Sequence, residues 1–503
     1  MPEAPKQVCS MGKLPNELLS EIFVLTHASH PRESPFRHPL FPKAQPITLG
    51  SVCRHWRFVA HNTKSIWQEF DYFPLDQLPD NILGSDDLAG LRERAGTVLE
   101  RWLKLGCQTS SQTSGLRFSF RMVGSWYYTP LEVDLLRVLV GRSNHWVSFV
   151  LEMDMQGRNC YANLEPLGGI RGKIPRLEYL EITLQGNSLA RKTPGYLMDA
   201  FEYAPRLNHF MSYGFWHAKR DFKLPWGQFG LVVFRDRRRQ DSYHVLSLAT
   251  SASTVSLRTR PMGRVTDVYP ELTLPALKTL ELGNDRGEGE ILSSLNVPNL
   301  DCLMLIDHCY GESSVRHAHE MVVRSRCKIT ALELEGAFFG SCNDILLLLH
   351  SCDSSLRELS LDGMLDGPPG QMEELVQTSN ILSSLSTILS LRSTDTRLMN
   401  LQTLNLYLTI GINSESEGRL WLLYACEVFE AVARRNEVLI AQGKKVLVLN
   451  LSDTEGFTLY GLWTMAWGFA ARIARCYLKL DCVRPSPAPE QTSKSENPSQ
   501  SLR

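Results

Sequence analysis

Apolar residues recur along this chain at two spacings, and each spacing marks a different kind of structure. From Leu14 to Thr26 the residues Leu14, Leu18, Leu19, Ile22 and Phe23 fall three and four apart, the repeat of one helix side. Pro15 suits the first turn of that helix, where a missing N–H removes no bond. The next stretch, HASHPRESPFRHPLFPKAQP, carries five prolines, so no long helix crosses it. Helical patterning resumes near Ile47, where Leu49, Val52, Cys53, Trp56, Val59 and Ala60 form one stripe. Arg54, His55, Arg57 and His61 fall mostly outside that stripe, which predicts a wet face.

A further amphipathic helix is predicted over Leu88 to Leu105, with Leu91, Ala95, Val98, Leu99, Trp102 and Leu103 on its apolar side. After the polar loop CQTSSQTSG, the segments LRFSFRM and WVSFVLEM read as strands flanking a helix at Leu131 to Val140. The pattern then shortens to an approximate L-x-x-L-x-L, which recurs ten times. The copies are LEYLEI, LNHFMS, FGLVVF, ASTVSL, LKTLEL, LDCLML, ITALEL, LRELSL, LQTLNL and VLVLNL. LNHFMS and ASTVSL are degraded, with Ser212 at a sixth position and Ala252 at a first.

The copies start 30, 22, 23, 25, 23, 29, 27, 45 and 45 residues apart, which brackets the leucine-rich-repeat range and then stretches it. Positions four and six of an extended segment point to the same side, so every copy offers the same apolar row to its neighbours. Between copies lie helical fillers such as PGYLMDAFEYA, EGEILSSL, SVRHAHEMVVRS and NDILLLLHSC. Strand, helix, strand at this period predicts an α/β fold with parallel strands and right-handed crossovers, an irregular solenoid. The long gaps hold EGRLWLLYACEVFEAVARRNEVLIAQG, and Leu459 to Leu478 gives a last amphipathic helix that caps the array. The Pro, Ser and Gln rich tail from Arg484 is expected to be disordered.

Composition narrows the function classes. A chain of 503 residues exceeds the size of one compact core. A hydrophobic share of 43%, a charged share of 21% and a formal charge of -1 describe a globular protein with no global pull toward DNA or an anionic membrane. The apolar runs ILLLLH and LWLLYACEVF fall short of the roughly 20 residues a membrane span needs. MPEAPKQVCSMGK has no apolar signal core, so a cytoplasmic or nuclear location is expected. The twelve cysteines include no C-x-x-C pair and read as reduced, mostly buried small hydrophobes.

Three segments carry polar chemistry, and each has a simpler reading. His308, Cys309, His317 and His319, with Cys302 nearby, are the densest set of possible metal ligands, but His317 and His319 two apart on a helix face different sides. FRDRRRQD reads as a solvated loop after a strand, and GNDRGEGE as a repeat loop lacking the Lys-Ser/Thr of a phosphate-binding loop. No G-x-S-x-G, H-E-x-x-H or kinase signature occurs, so nothing points to catalysis, a metal or a cofactor.

LPNELLSEIF at Leu14 to Phe23, LGSVCRHWRFVA at Leu49 to Ala60 and SIW at Ser65 to Trp67 closely resemble the F-box motif. The remainder resembles the repeat region of F-box proteins with leucine-rich repeats, particularly a large fungal type. That resemblance implies a small N-terminal all-α F-box over residues 13–72 with a long Pro-rich internal loop, after a flexible N-terminus at 1–12. A helical linker at 73–112, a leucine-rich-repeat-like solenoid at 113–483 and a disordered tail at 484–503 complete the expected domains. It also implies a Skp-family adaptor as partner, and through it a cullin-RING ubiquitin ligase, with the repeats choosing an unknown protein substrate. The adaptor-facing candidates it carries over are Leu14, Pro15, Leu18, Ile22, Leu49, Val52, Cys53, Trp56 and Trp67, with Trp56 alternatively packed inside the motif. The other reading of the same features is a leucine-rich-repeat scaffold acting outside any ligase.

Overall fold

The computed structural model describes residues 14–28, 45–72, 87–107, 115–122, 130–154, 160–185, 199–214, 223–236, 239–259, 269–284, 289–307, 314–335, 342–364, 385–386, 389, 398–409, 428 and 430–452. The expectations for the N-terminal segment 1–12, for most of the Pro-rich loop, for the helix at Leu459 to Leu478 and for the tail lie outside the described residues. The chain divides into two units, Met1–Asn299 and Leu300–Arg503.

The first unit opens with helices α1 (Asn16–Ala28), α2 (Gln45–Val52) and α3 (Arg54–Asn62). Leu19 N–H donates to the Pro15 carbonyl at 3.0 Å, so Pro15 closes the first turn from just outside it. The single stripe expected from Leu49 to Ala60 is instead broken at Cys53, which adopts extended backbone with φ -156° and ψ 174°. Its Sγ accepts a hydrogen bond from Trp56 N–H at 3.4 Å, capping α3 as a Ser or Thr does in other helices. The break rotates the two halves of the stripe apart, leaving Val52 and Cys53 exposed while Val59 and Ala60 are buried.

A short 3-10 turn at Lys64–Trp67 leads into strand β1 (Glu69–Tyr72), which lies inside the segment expected to be all helical. Alternation explains it, because EFDY buries Phe70 between polar neighbours. Helix α4 (Asp87–Gly106) follows, then β2 (Leu116–Met122), α5 (Pro130–Val140) and β3 (Trp146–Asp154), as their patterning predicts. Next come β4 (Tyr179–Gln185), β5 (His209–Gly214), β6 (Leu231–Asp236), β7 (Thr254–Thr259), β8 (Leu272–Thr273), β9 (Thr279–Asn284) and β10 (Leu295–Asn296). Strands β1 to β7 and then β9 pair in sequence order, all parallel, while β8 and β10 form a separate parallel pair.

The register follows the repeats. Leu180, Phe210, Val232, Val255 and Leu280, the fourth positions of five copies, align across neighbouring strands and are all buried. Even the degraded copies keep the register, with Ser212 buried between Ile182 and Phe234. The second unit repeats the scheme with β11 (Cys302–Asp307), β12 (Ala331–Glu335), β13 (Glu358–Met364), β14 (Thr403–Thr409) and β15 (Val448–Ser452), again parallel and in order. There Leu332, Leu359, Leu404 and Leu449 form the buried row. Each fully buried Leu contributes about 1.5–3 kcal/mol, which an isolated copy could not collect.

The fillers are less uniform than their patterning suggests. Gly289–Ser294, Ser314–Ser325 and Cys342–Ser351 are helices, as expected. In PGYLMDAFEYA, residues 199–203 form turns rather than a helix, and residues 194–198 lie outside the described set. Pro205 disfavours helical backbone at Ala204, at the end of this segment.

Candidate functional site

The three N-terminal helices are held together from within. Leu19 and Phe23 turn inward from α1, and the Phe23 ring meets Trp56 of α3 at 5.2 Å between centroids. Thr63 is buried at the end of α3, its Oγ1 2.8 Å from Ser20 Oγ and 2.9 Å from the Val59 carbonyl oxygen. Arg57 donates from Nε to the Gly50 carbonyl at 2.8 Å, so it staples α3 to α2 instead of only lining a wet face.

These helices leave several large apolar side chains outside. Leu18 is 48% exposed, Val52 58%, Phe58 60% and Leu25 67%, with Ile22 and Val24 also exposed. Leu18, Ile22 and Leu25 are spaced four and three apart, which aligns them on one side of α1. Large apolar side chains left in water on a small helical domain mark a surface built to be covered. Pro15 and Cys53 are exposed beside them in sequence, and Leu14 and Leu49 are half-buried.

Two of the expected interface residues sit elsewhere. Trp56 is half-buried against Phe23. Trp67 is only 2% exposed, with its indole N–H donating to the Ala60 carbonyl at 2.7 Å. It is an internal anchor, because a buried indole needs both an apolar cage and an acceptor, and the end of α3 supplies the acceptor. Leu25 and Phe58 were not among the expected residues. Leu25 continues the α1 spacing by three from Ile22, and Phe58 lies off the inward stripe of α3.

A second polar surface lies on the first unit's sheet, on the strand positions that alternate with the buried row. Arg258 Nε donates to Glu281 Oε1 at 2.6 Å, and Arg235 lies 4.0 Å from the same oxygen and over the Tyr213 ring at 5.4 Å. Gly283 makes room for this, since a Cβ there would sit 2.8 Å from Arg258 Cγ. Tyr179 donates to Glu181 Oε2 at 2.5 Å, and its pKa is raised by burial first and by that carboxylate second. Part of FRDRRRQD therefore belongs to a strand, with Arg235 engaged on the sheet, and Arg239 opens the helix Arg239–Leu248.

Of the His and Cys set, Cys302 sits in β11, where burial pushes its thiol up to about 11. His319 Nδ1 lies 2.7 Å from Ser351 Oγ on the neighbouring helix. His308 and Cys309 lie outside the described residues. Among the described residues no three His, Cys, Asp or Glu side chains group as metal ligands, and no helix is long and apolar enough to cross a membrane.

The N-terminal helices thus combine a shared core, exposed large apolar side chains and an inward final Trp. Residues 11–72 match the F-box-like family, so the chain carries an F-box-like domain, a kind that generally binds Skp-family adaptors. No curated protein matches the chain.

Proposed function

We propose that the protein is a noncatalytic substrate receptor of a Skp-cullin-F-box ubiquitin ligase, a fungal-type F-box protein whose repeats are of the leucine-rich kind. The exposed apolar residues Leu18, Ile22, Leu25, Val52 and Phe58 dock on a Skp-family adaptor. The repeat sheet holds a protein target, and ubiquitin transfer follows from the high effective concentration of target beside the ligase. The protein works in the cytoplasm, the nucleus or both. The observation that carries the reading is an exposed apolar face on a domain that matches the F-box-like family.

Co-expression of the full chain with a Skp-family adaptor, followed by size-exclusion chromatography, tests it. Wild type is expected to co-elute, and Leu18→Asp with Val52→Asp is expected to abolish co-elution while the melting temperature holds. Failure of the wild type to co-elute would sink the reading. Adaptor capture without cullin recruitment would replace the ligase role with a scaffold.

A further inference from the structure

Between α2, α3 and α4 lies a cavity of about 290 Å³, near the lower limit of about 300 Å³ for small-ligand sites. Arg57, His61 and Arg101 line it together with Pro46, Ile47, Trp67 and Val98. We propose that this cavity binds a small phosphomonoester, with Arg57, His61 and Arg101 on the phosphate and Ile47, Trp67 and Val98 around its organic body.

Each cationic group makes one hydrogen bond among the described residues and keeps further donors. Arg57 uses Nε on the Gly50 carbonyl, which fixes its plane and leaves two terminal NH₂ groups without a protein partner among the described residues. Arg101 Nη2 lies 3.1 Å from His61 Nε2. A guanidinium only donates, so Nε2 accepts and His61 is the neutral tautomer with its proton on Nδ1. Among the described residues neither guanidinium has a carboxylate partner. Burial first, and then the charges of Arg101 and Arg57, hold the His61 pKa below its ordinary value, so both arginine fields reach the imidazole.

Two guanidinium groups facing one imidazole repel a proton there and attract an anion. A carboxylate offers two oxygens to this set, whereas a phosphate offers three and matches two arginine forks plus an imidazole. The walls select further. The edge of His61 meets Trp67 at 6.0 Å between centroids, and Ile47 and Val98 add apolar surface. Inorganic phosphate would leave that surface wet, while a small organic body would cover it. This site stands independently of adaptor docking, since none of its cationic residues belongs to the exposed apolar face.

Isothermal titration of the full chain with phenyl phosphate, inorganic phosphate and phenylacetate tests the site. Phenyl phosphate is expected to bind one to one and more tightly than either comparison, with affinity falling as salt rises. Arg101→Met should weaken it about tenfold or more at unchanged melting temperature, and Arg101→Lys should recover part of the loss. In NMR, saturation should move the His61 imidazole nitrogens toward the doubly protonated form, because a bound dianion offsets Arg57 on its own helix and Arg101 on α4. No saturable binding by wild type, binding by Arg101→Met equal to wild type, phenylacetate binding as tightly as phenyl phosphate, or an unmoved His61 would each overturn the proposal.

Discussion

Truncating the exposed apolar face separates docking from folding, and the size of the effect follows from exposure. Fully burying a Leu, Val or Phe side chain is worth about 1.5–3 kcal/mol. In the free chain Leu18, Val52 and Phe58 are 48%, 58% and 60% exposed, so roughly half of each transfer remains to be gained. That is about 1 kcal/mol per side chain and about 3 kcal/mol for the three together. At about 1.4 kcal/mol per tenfold, the variant Leu18→Ala, Val52→Ala, Phe58→Ala should bind a Skp-family adaptor about a hundredfold more weakly. Its own stability should change little, because solvent already reaches these groups and Ala is the better helix former. Trp67→Ala is the opposite case: the side chain is 2% exposed, and its loss should cost about 3–5 kcal/mol of stability. Surface plasmon resonance against the adaptor, beside thermal melts of each variant, reads both quantities. Binding by the triple variant within threefold of wild type, at unchanged melting temperature, would show that these residues do not form the interface.

Three further outcomes are expected. Asn436 donates to the Leu447 carbonyl at 3.0 Å and accepts from Leu447 N–H at 2.7 Å, so Asn436→Ala should strand two buried backbone groups. Denaturant unfolding should then show a loss of about 2–4 kcal/mol, from about 1–3 kcal/mol for each stranded group less partial hydration. Burial pushes the thiols of Cys327 up to about 11 and of Cys352 up to about 12, whereas Cys53 is exposed. Iodoacetamide at pH 8, mapped by mass spectrometry, should therefore modify Cys53 in the native chain and reach Cys327 and Cys352 only after unfolding. His61 and His145 both have lowered pKa values, by burial first and then by Arg101 and Arg57 for the one and by Arg176 and Arg142 for the other. The unfolded chain thus takes up protons more readily, so the contribution to stability is full above about pH 6.5 and is lost as pH falls below it. Melting temperatures from pH 7.5 to 5.5 should decline less steeply in His61→Asn with His145→Asn than in wild type.

The two parts of the chain were legible to different degrees, for physical reasons. The period-two rows of the repeats predict strand position and register down to single residues, because one slipped residue would turn Leu332 or Leu359 into solvent. Ser212 shows that the row tolerates one weak member once its neighbours are paired. The N-terminal helices were harder to read. Apolar periodicity does not tell an inward stripe from a stripe that waits for a partner, since both have the same composition. Leu18 and Leu19 are adjacent and both fit the pattern, yet one is half outside and the other fully inside. The cap at Cys53 was hidden because cysteine is seldom counted among capping residues, and missing it placed Val52 and Cys53 on the same inward stripe as Val59 and Ala60.

The boundary after residue 72 marks where the F-box-like match ends, but packing runs straight across it. Trp102 of α4 donates its indole N–H to the Trp67 carbonyl at 2.7 Å, and the two rings meet edge to face at 5.3 Å. Phe70 of β1 packs on the same Trp102 at 5.8 Å, and β1 pairs with β2. Gly106 closes the arrangement, since a Cβ there would come within 2.6 Å of the Trp67 carbonyl oxygen. The segment expected as a helical linker therefore supplies the far wall of the F-box core. A linker that shares a core cannot swing freely, so the orientation of α4 and β2 against the docking helices is set by Trp67 and Trp102. In the proposed receptor role, that rigidity would matter alongside adaptor docking, because effective concentration falls when the holding surface is free to wander.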